Sequence, residues 1–185
     1  MALDADQLKD LLAAIDRHLV APASICLIGS GATILLGQLA RQTDDIDVWA
    51  RASRVSLADL RQAAVAAGCD FDPRDERPRV PYLQIVHPGI VQVPGWNAAK
   101  RAFLGEPERE VWRGNKLTVT VPPPHVLVAS KLLRGEDRDF EDCFWLIAAH
   151  ALDAAAVTAA VKALPKAQRG IAMENWEILS LMRPE

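Results

Sequence analysis

Long apolar runs, a secretory start, cysteine pairs, histidine pairs and internal repeats are all missing from this 185-residue chain. No apolar stretch reaches the roughly 20 residues that a membrane helix needs. The opening Met1-Ala2-Leu3-Asp4-Ala5-Asp6 is acidic and lacks the basic start and apolar core of a signal peptide, so a cytoplasmic location is expected. Cys26, Cys69 and Cys143 are odd in number, far apart and set in apolar patterns. They read as reduced core thiols rather than a disulfide frame or a zinc site. His18, His87, His125 and His150 are dispersed, with no metal-ligand spacing and no local Ser–His–Asp arrangement. Basic residues number 21 against 24 acidic, a net charge of −3, so there is no global field for wrapping long duplex DNA. A local basic groove built from Arg41, Arg51, Arg54, Lys100 and Arg101 stays open.

Half the residues are hydrophobic, ample for a core in one domain or in a small domain with a helical extension. Leu8, Leu11, Leu12, Ile15 and Leu19 recur at helical spacing and predict a helix over 4–20. Pro22 ends it, and 24–28 is a short apolar run read as a buried strand. Gly29-Ser30-Gly31 turns the chain into a helix to about residue 40, followed by a strand over 45–50. Ser56 is the expected N-cap of a helix ending at Gly68. The polar, proline-broken stretch 70–79 reads as an exposed loop. Residues 82–86 and 90–93 look like a hairpin, and 116–121 alternates as a further strand. Beyond Pro122-Pro123-Pro124, helices are expected over about 124–134, 137–150, 153–163 and 168–182. The expected class is α+β: a small mixed sheet with flanking helices over 1–121, then a mostly helical region over 122–185.

Fourteen residues separate Gly29-Ser30 from Asp45-Ile46-Asp47. Side chains at i and i+2 of a strand share a face, so Asp45 and Asp47 project together, about 6–7 Å apart along the backbone. Two carboxylates held that close repel, and a cation between them relieves the repulsion. Oxygen-only ligands suit Mg²⁺, which takes one or two carboxylates together with substrate phosphates. Gly29 and Ser30 read either as a phosphate turn, with backbone N–H groups at a helix start, or as a strand-to-helix turn capped by Ser30. Asp44 alternates to the other face and suits a turn or a partnership with Arg41. Thr43 suits a local turn hydrogen bond or a phosphate contact. Trp49 could stack on a base or fill the core, and the other tryptophans suit packing.

Ile28-Gly29-Ser30, a helix, then Arg41-Gln42-Thr43-Asp44-Asp45-Ile46-Asp47-Val48 resembles the signature of polymerase-β-type nucleotidyltransferases. The Arg-x-Thr-x-Asp-Ile-Asp wording is most similar to the bacterial branch holding abortive-infection and toxin–antitoxin nucleotidyltransferases. Ala129-Ser130-Lys131-Leu132-Leu133 and Arg138-Asp139-Phe140-Glu141-Asp142 resemble that branch's lysine helix and its Arg/Lys-Asp-x-x-Asp helix. The resemblance spans roughly 24–147.

The resemblance implies Asp45 and Asp47 as ligands of Mg²⁺ or Mn²⁺, with Gly29, Ser30, Arg41 and Thr43 on the nucleotide. It implies that Lys131 contacts the nucleotide phosphates, and that Asp142 or Asp139 orients Lys131 or the substrate. Without it, Lys131 reads as an exposed helix lysine and Arg138–Asp142 as a surface i, i+4 pair. The implied activity moves an NMP from an NTP to a hydroxyl on RNA (a tRNA end) or on a protein, with a cognate toxin or antitoxin as a candidate partner. Many relatives carry a third carboxylate on a later strand as general base, and strands 82–87 and 90–93 hold no acid; Gln84, His87 or Gln92 would stand there. That departure gives the alternative of a catalytically inactive module that binds a nucleotide or a partner protein.

Overall fold

Asp4 opens the first helix, α1 (Ala5–His18), with a capping box: its side chain accepts from the Asp6 and Gln7 amides while the Gln7 side chain accepts from the Asp4 N–H. Leu8, Leu12 and Ile15 on the inner face are fully buried, each contributing roughly 1.5–3 kcal/mol by transfer from water. The structure, a computed structural model, describes residues 2–73, 81–87, 89 and 91–182. It divides into two units, Met1–Pro88 with Arg109–Val121, and Gly89–Glu108 with Pro122–Glu185.

In the first unit, β1 (Ala23–Cys26) leads into the short helix α2 (Gly29–Leu35). Next come β2 (Asp45–Trp49), α3 (Leu57–Ala66), β3 (Asp70–Phe71) and β4 (Tyr82–Val86). β8 (Arg109–Arg113) and β9 (Leu117–Val121) complete the unit. One sheet has the order β1-β9-β8, with β9 parallel to β1 and antiparallel to β8. The other has the order β2-β4-β3, all parallel. The bridge Leu27↔Val48 and the bond from the Ile28 amide to the Asp47 carbonyl (3.0 Å) join the end of β1 to β2. α1 packs on α3, and Ser56 caps α3 by accepting from the Asp59 amide.

The hairpin expected over 82–93 does not form in this sheet. β4 is the central strand, paired in parallel along its length with β2 and at Tyr82 and Leu83 with β3, while Gln92 and Val93 are not in a strand. Pro88 and Ile90 of that expectation lie outside the described residues, as does 74–80 of the expected loop. At its start that loop is strand: Asp70 and Phe71 pair with Tyr82 and Leu83. α2 is also shorter than expected, because the chain leaves the helix at Leu36 through Gly37 at φ 114°.

The second unit contains the small antiparallel sheet β5 (Trp96–Asn97), β6 (Ala102–Phe103) and β7 (Glu106–Pro107). It also contains α4 (Pro124–Lys131), α5 (Asp137–Ala149), α6 (Ala154–Lys162) and α7 (Lys166–Leu181). The helical part begins at the expected triple proline, while 89–108 joins this unit from earlier in the chain. α4 is buried nearly all round, from Pro124 to Ala129, and packs on α5 and α6. The three thiols are all buried and unbridged. Burial pushes the Cys69 and Cys143 thiols up to about 12.

Candidate nucleotide and metal site

β2 shows the alternation its sequence demands: Ile46 and Val48 are fully buried, while Asp45 and Asp47 are half-buried on the other face. Gly29 approaches the second carboxylate from the end of β1. Its φ is +66°, and a Cβ placed there would run into the Asp47 carboxyl group, with Cγ only 3.2 Å away. A side chain at 29 would therefore occupy the space that the Asp47 carboxylate uses. This is the physical reason for glycine here, beyond its tolerance of positive φ.

Thr43 holds the first carboxylate. Its hydroxyl lies 2.7 Å from Asp45 Oδ1 and 3.1 Å from the Asp45 carbonyl oxygen. Thr43 is itself buried and fixed by paired backbone bonds with Leu3. The hydroxyl of Tyr82, the residue in register with Asp45 on β4, donates to Asp45 Oδ2 at 3.4 Å. Burial and the nearby Asp45 and Asp47 charges push the Tyr82 phenol up from its ordinary value. Arg41 donates to Ser30 Oγ at 3.1 Å, which ties the loop before β2 to the first turn of α2. Ser30 does not cap α2: the N-cap is Ile28, and no side chain caps that end. Ser30 lies inside the first turn, half-buried, with its hydroxyl bonded to a guanidinium.

Gly29, Ser30, Arg41, Thr43, Asp45 and Asp47 thus come together in the first unit. Tyr82 joins them without any signal in the sequence, since only the parallel register of β4 reveals it. The same register puts Gln84 beside Asp47, and β4 carries no acid.

The donor set fits a magnesium ion. Two carboxylates share one face, one of them beside a cradle that a Cβ would fill. Among the described residues no group of three or more His, Cys, Asp or Glu side chains forms a cage. A pair of carboxylates without a full protein cage is the arrangement Mg²⁺ adopts when substrate phosphates supply other ligands.

The structure brings Lys131 and Asp142 to each other in the second unit. Lys131 is buried, not exposed, and its Nζ lies 2.6 Å from Asp142 Oδ2 and 3.7 Å from Asp139 Oδ1. Asp139 in turn accepts two bonds from the exposed Arg134, at 2.6 and 2.7 Å. Asp142 therefore pairs inward with Lys131 and is no surface partner of Arg138, which is exposed. The Asp-x-x-Asp spacing works as the helix period dictates, placing both acids on the buried face of α5. Trp49 is 2% exposed and belongs to the core. No helix among the described residues is long and apolar enough to cross a membrane.

No curated protein matches the chain. One solved structure similar to it is an antigenic nucleotidyltransferase-like protein from Paracoccidioides brasiliensis. The two are 17% identical, with 80% of this chain and 79% of that chain covered and a TM-score of 0.49. Residues 5–167, most of the sequence, match the family described as nucleotidyltransferase of unknown function (DUF6036), and the chain belongs to that nucleotidyltransferase family.

Proposed function

We propose that the first unit binds an NTP with Mg²⁺ at Asp45 and Asp47 and transfers the NMP to a hydroxyl on RNA or protein. The observation that carries this reading is the packing of the Gly29 backbone against the Asp47 carboxylate, with Asp45 beside it on the same face. Asp45 and Asp47 hold the ion. Thr43 keeps the Asp45 carboxylate in one rotamer by donating to Oδ1. Gly29 and Ser30 receive the triphosphate, and Arg41, already on the Ser30 hydroxyl, adds positive charge beside it. Bound there, Mg²⁺ supplies charge stabilisation at the reacting phosphate oxygens. The protein's own contribution is positioning and fixed charge, from which most of the rate enhancement in phosphoryl chemistry comes. Release of pyrophosphate from an NTP, dependent on Mg²⁺ and lost in Asp45→Ala/Asp47→Ala, is the expected outcome. Full activity in that double variant would sink the assignment. A role in a toxin–antitoxin pair rests on the motif wording, and a co-purifying partner encoded beside the gene would support it.

Gln84 favours a second reading. A carboxamide in register with Asp47 cannot take a proton from an attacking hydroxyl. The domain would then bind a nucleotide without turnover, and NTP binding with no pyrophosphate under any divalent metal would establish it.

A further inference from the structure

At the other end of β1 from Gly29, a cleft of about 400 Å³ opens over the β1-β9-β8 sheet, all within the first unit. Its floor is a register-locked row. Thr118 on β9 is the partner of both Ser24 on β1 and Arg113 on β8, and Ser24 bridges to Arg54. Directly opposed residues point to one face of a sheet, so two hydroxyls lie side by side with an arginine at each end of the row. Three inter-strand steps separate the two arginines, about 15 Å of backbone. Lys116, two residues before Thr118, adds a third cation at the wall.

Among the described residues, none of those lining the cleft is acidic or aromatic. Arg113 is held by Glu110 in an exposed ion pair, which costs little to exchange for another anion. The Lys116 ammonium donates to the Leu19 carbonyl and shares its charge with the buried Asp16 carboxylate, so the two arginines are the main cations of the cleft.

We infer that the cleft formed by Arg54, Ser24, Thr118, Arg113 and Lys116 is a phosphate-binding track for the backbone of a single-stranded nucleic acid. A lone anion would be served by one clustered pair of cations. A row with guanidinium groups at both ends suits successive phosphates, and planar guanidinium forks are the preferred phosphate ligands. The lack of aromatic rings means that bases are not stacked, so the track is sequence-independent and salt-sensitive. Ser24 stands five residues before Gly29, so the track is separate from the carboxylate pair and holds whether or not that pair binds a nucleotide.

The test is fluorescence anisotropy with a labelled 12-nucleotide single-stranded RNA, in EDTA, across a series of salt concentrations. Three phosphate contacts give a log–log salt slope of about −2, and the Arg54→Gln/Arg113→Gln variant should flatten it to about −0.7 and weaken binding about tenfold or more at low salt. Glu110→Gln, which removes only the competing carboxylate, should tighten binding. Asp45→Asn/Asp47→Asn should leave RNA affinity unweakened, whatever it does to NTP binding. Inorganic tripolyphosphate serves as the small-anion probe. Any of three results overturns the inference: wild type that ignores RNA, binding of tripolyphosphate alone, or an unchanged slope in the double arginine variant.

Discussion

The backbone of Gly29 and the carboxylate of Asp47 share one small volume: the Cβ that any other residue would bring collides with the acid. The Gly29 conformation, at φ +66°, adds a second obstacle. Gly29→Ala should therefore lose roughly 2 kcal/mol or more of stability from the left-handed backbone and the displaced carboxylate. At this chain length that is a fall of about 4–8 °C in Tm. Thermal unfolding checks it, and metal-dependent NTP binding should vanish in the same variant.

Thr43→Val keeps the volume of a buried side chain and deletes the hydroxyl that fixes Asp45. Outer partners of metal ligands are typically worth 10–100-fold in metal affinity. A Mg²⁺ titration of the NTP complex should show a loss in that range with the fold intact. Tyr82→Phe, which removes only a 3.4 Å contact, should do less.

Much of this site was legible in the sequence because its parts are local. A glycine at a strand end, a helix after it and an alternating Asp-Ile-Asp follow from periodicity and turn chemistry, although the helix stops at Leu35 rather than near residue 40. Gln84 and Tyr82 came into place only through the parallel register of β4, since parallel pairing leaves no turn signature in the chain. The same gap turned 82–93 into an expected hairpin. The two-residue strands β5, β6 and β7 are too short to show alternation. Lys131 looked exposed because its two partners lie on the next helix, where the i, i+4 rule gives Asp142 to Arg138.

Lys131→Met should be severely destabilising. It removes the ammonium 2.6 Å from the fully buried Asp142 carboxylate, and breaking a buried pair from one side costs about 3–5 kcal/mol, whereas Asp139 keeps its two bonds from Arg134. Adding Asp142→Leu should recover part of that loss, because replacing a buried ion pair with apolar groups is often near neutral. Urea denaturation of the single and double variants measures the coupling, and additive losses would contradict it.

Asp16, 5% exposed at the end of α1, accepts the amides of Asn115 at 3.0 Å, Lys116 at 2.7 Å and Leu117 at 2.6 Å. Burial pushes its carboxyl up, but the three amide bonds and the Lys116 charge outweigh it and hold it below the ordinary 3.8. The folded state therefore favours the ionised form. Its contribution to stability is complete above the unfolded value and is lost as pH falls through the folded one. Asp16→Asn should cost about 1.5–3 kcal/mol at pH 7, since an amide nitrogen would face one of the three N–H donors. The stability of that variant should also fall less steeply below pH 4 (denaturant midpoints against pH).

Whether Asp45 and Asp47 form a metal–nucleotide site is decided by titration calorimetry of each of the four NTPs, with and without Mg²⁺, on the wild type and on Asp45→Ala/Asp47→Ala. The expected result is binding of at least one NTP by the wild type that requires Mg²⁺ and disappears in the double variant. Binding of equal strength in the variant, or no binding of any NTP to the wild type with Mg²⁺ present, would contradict the assignment of the two carboxylates.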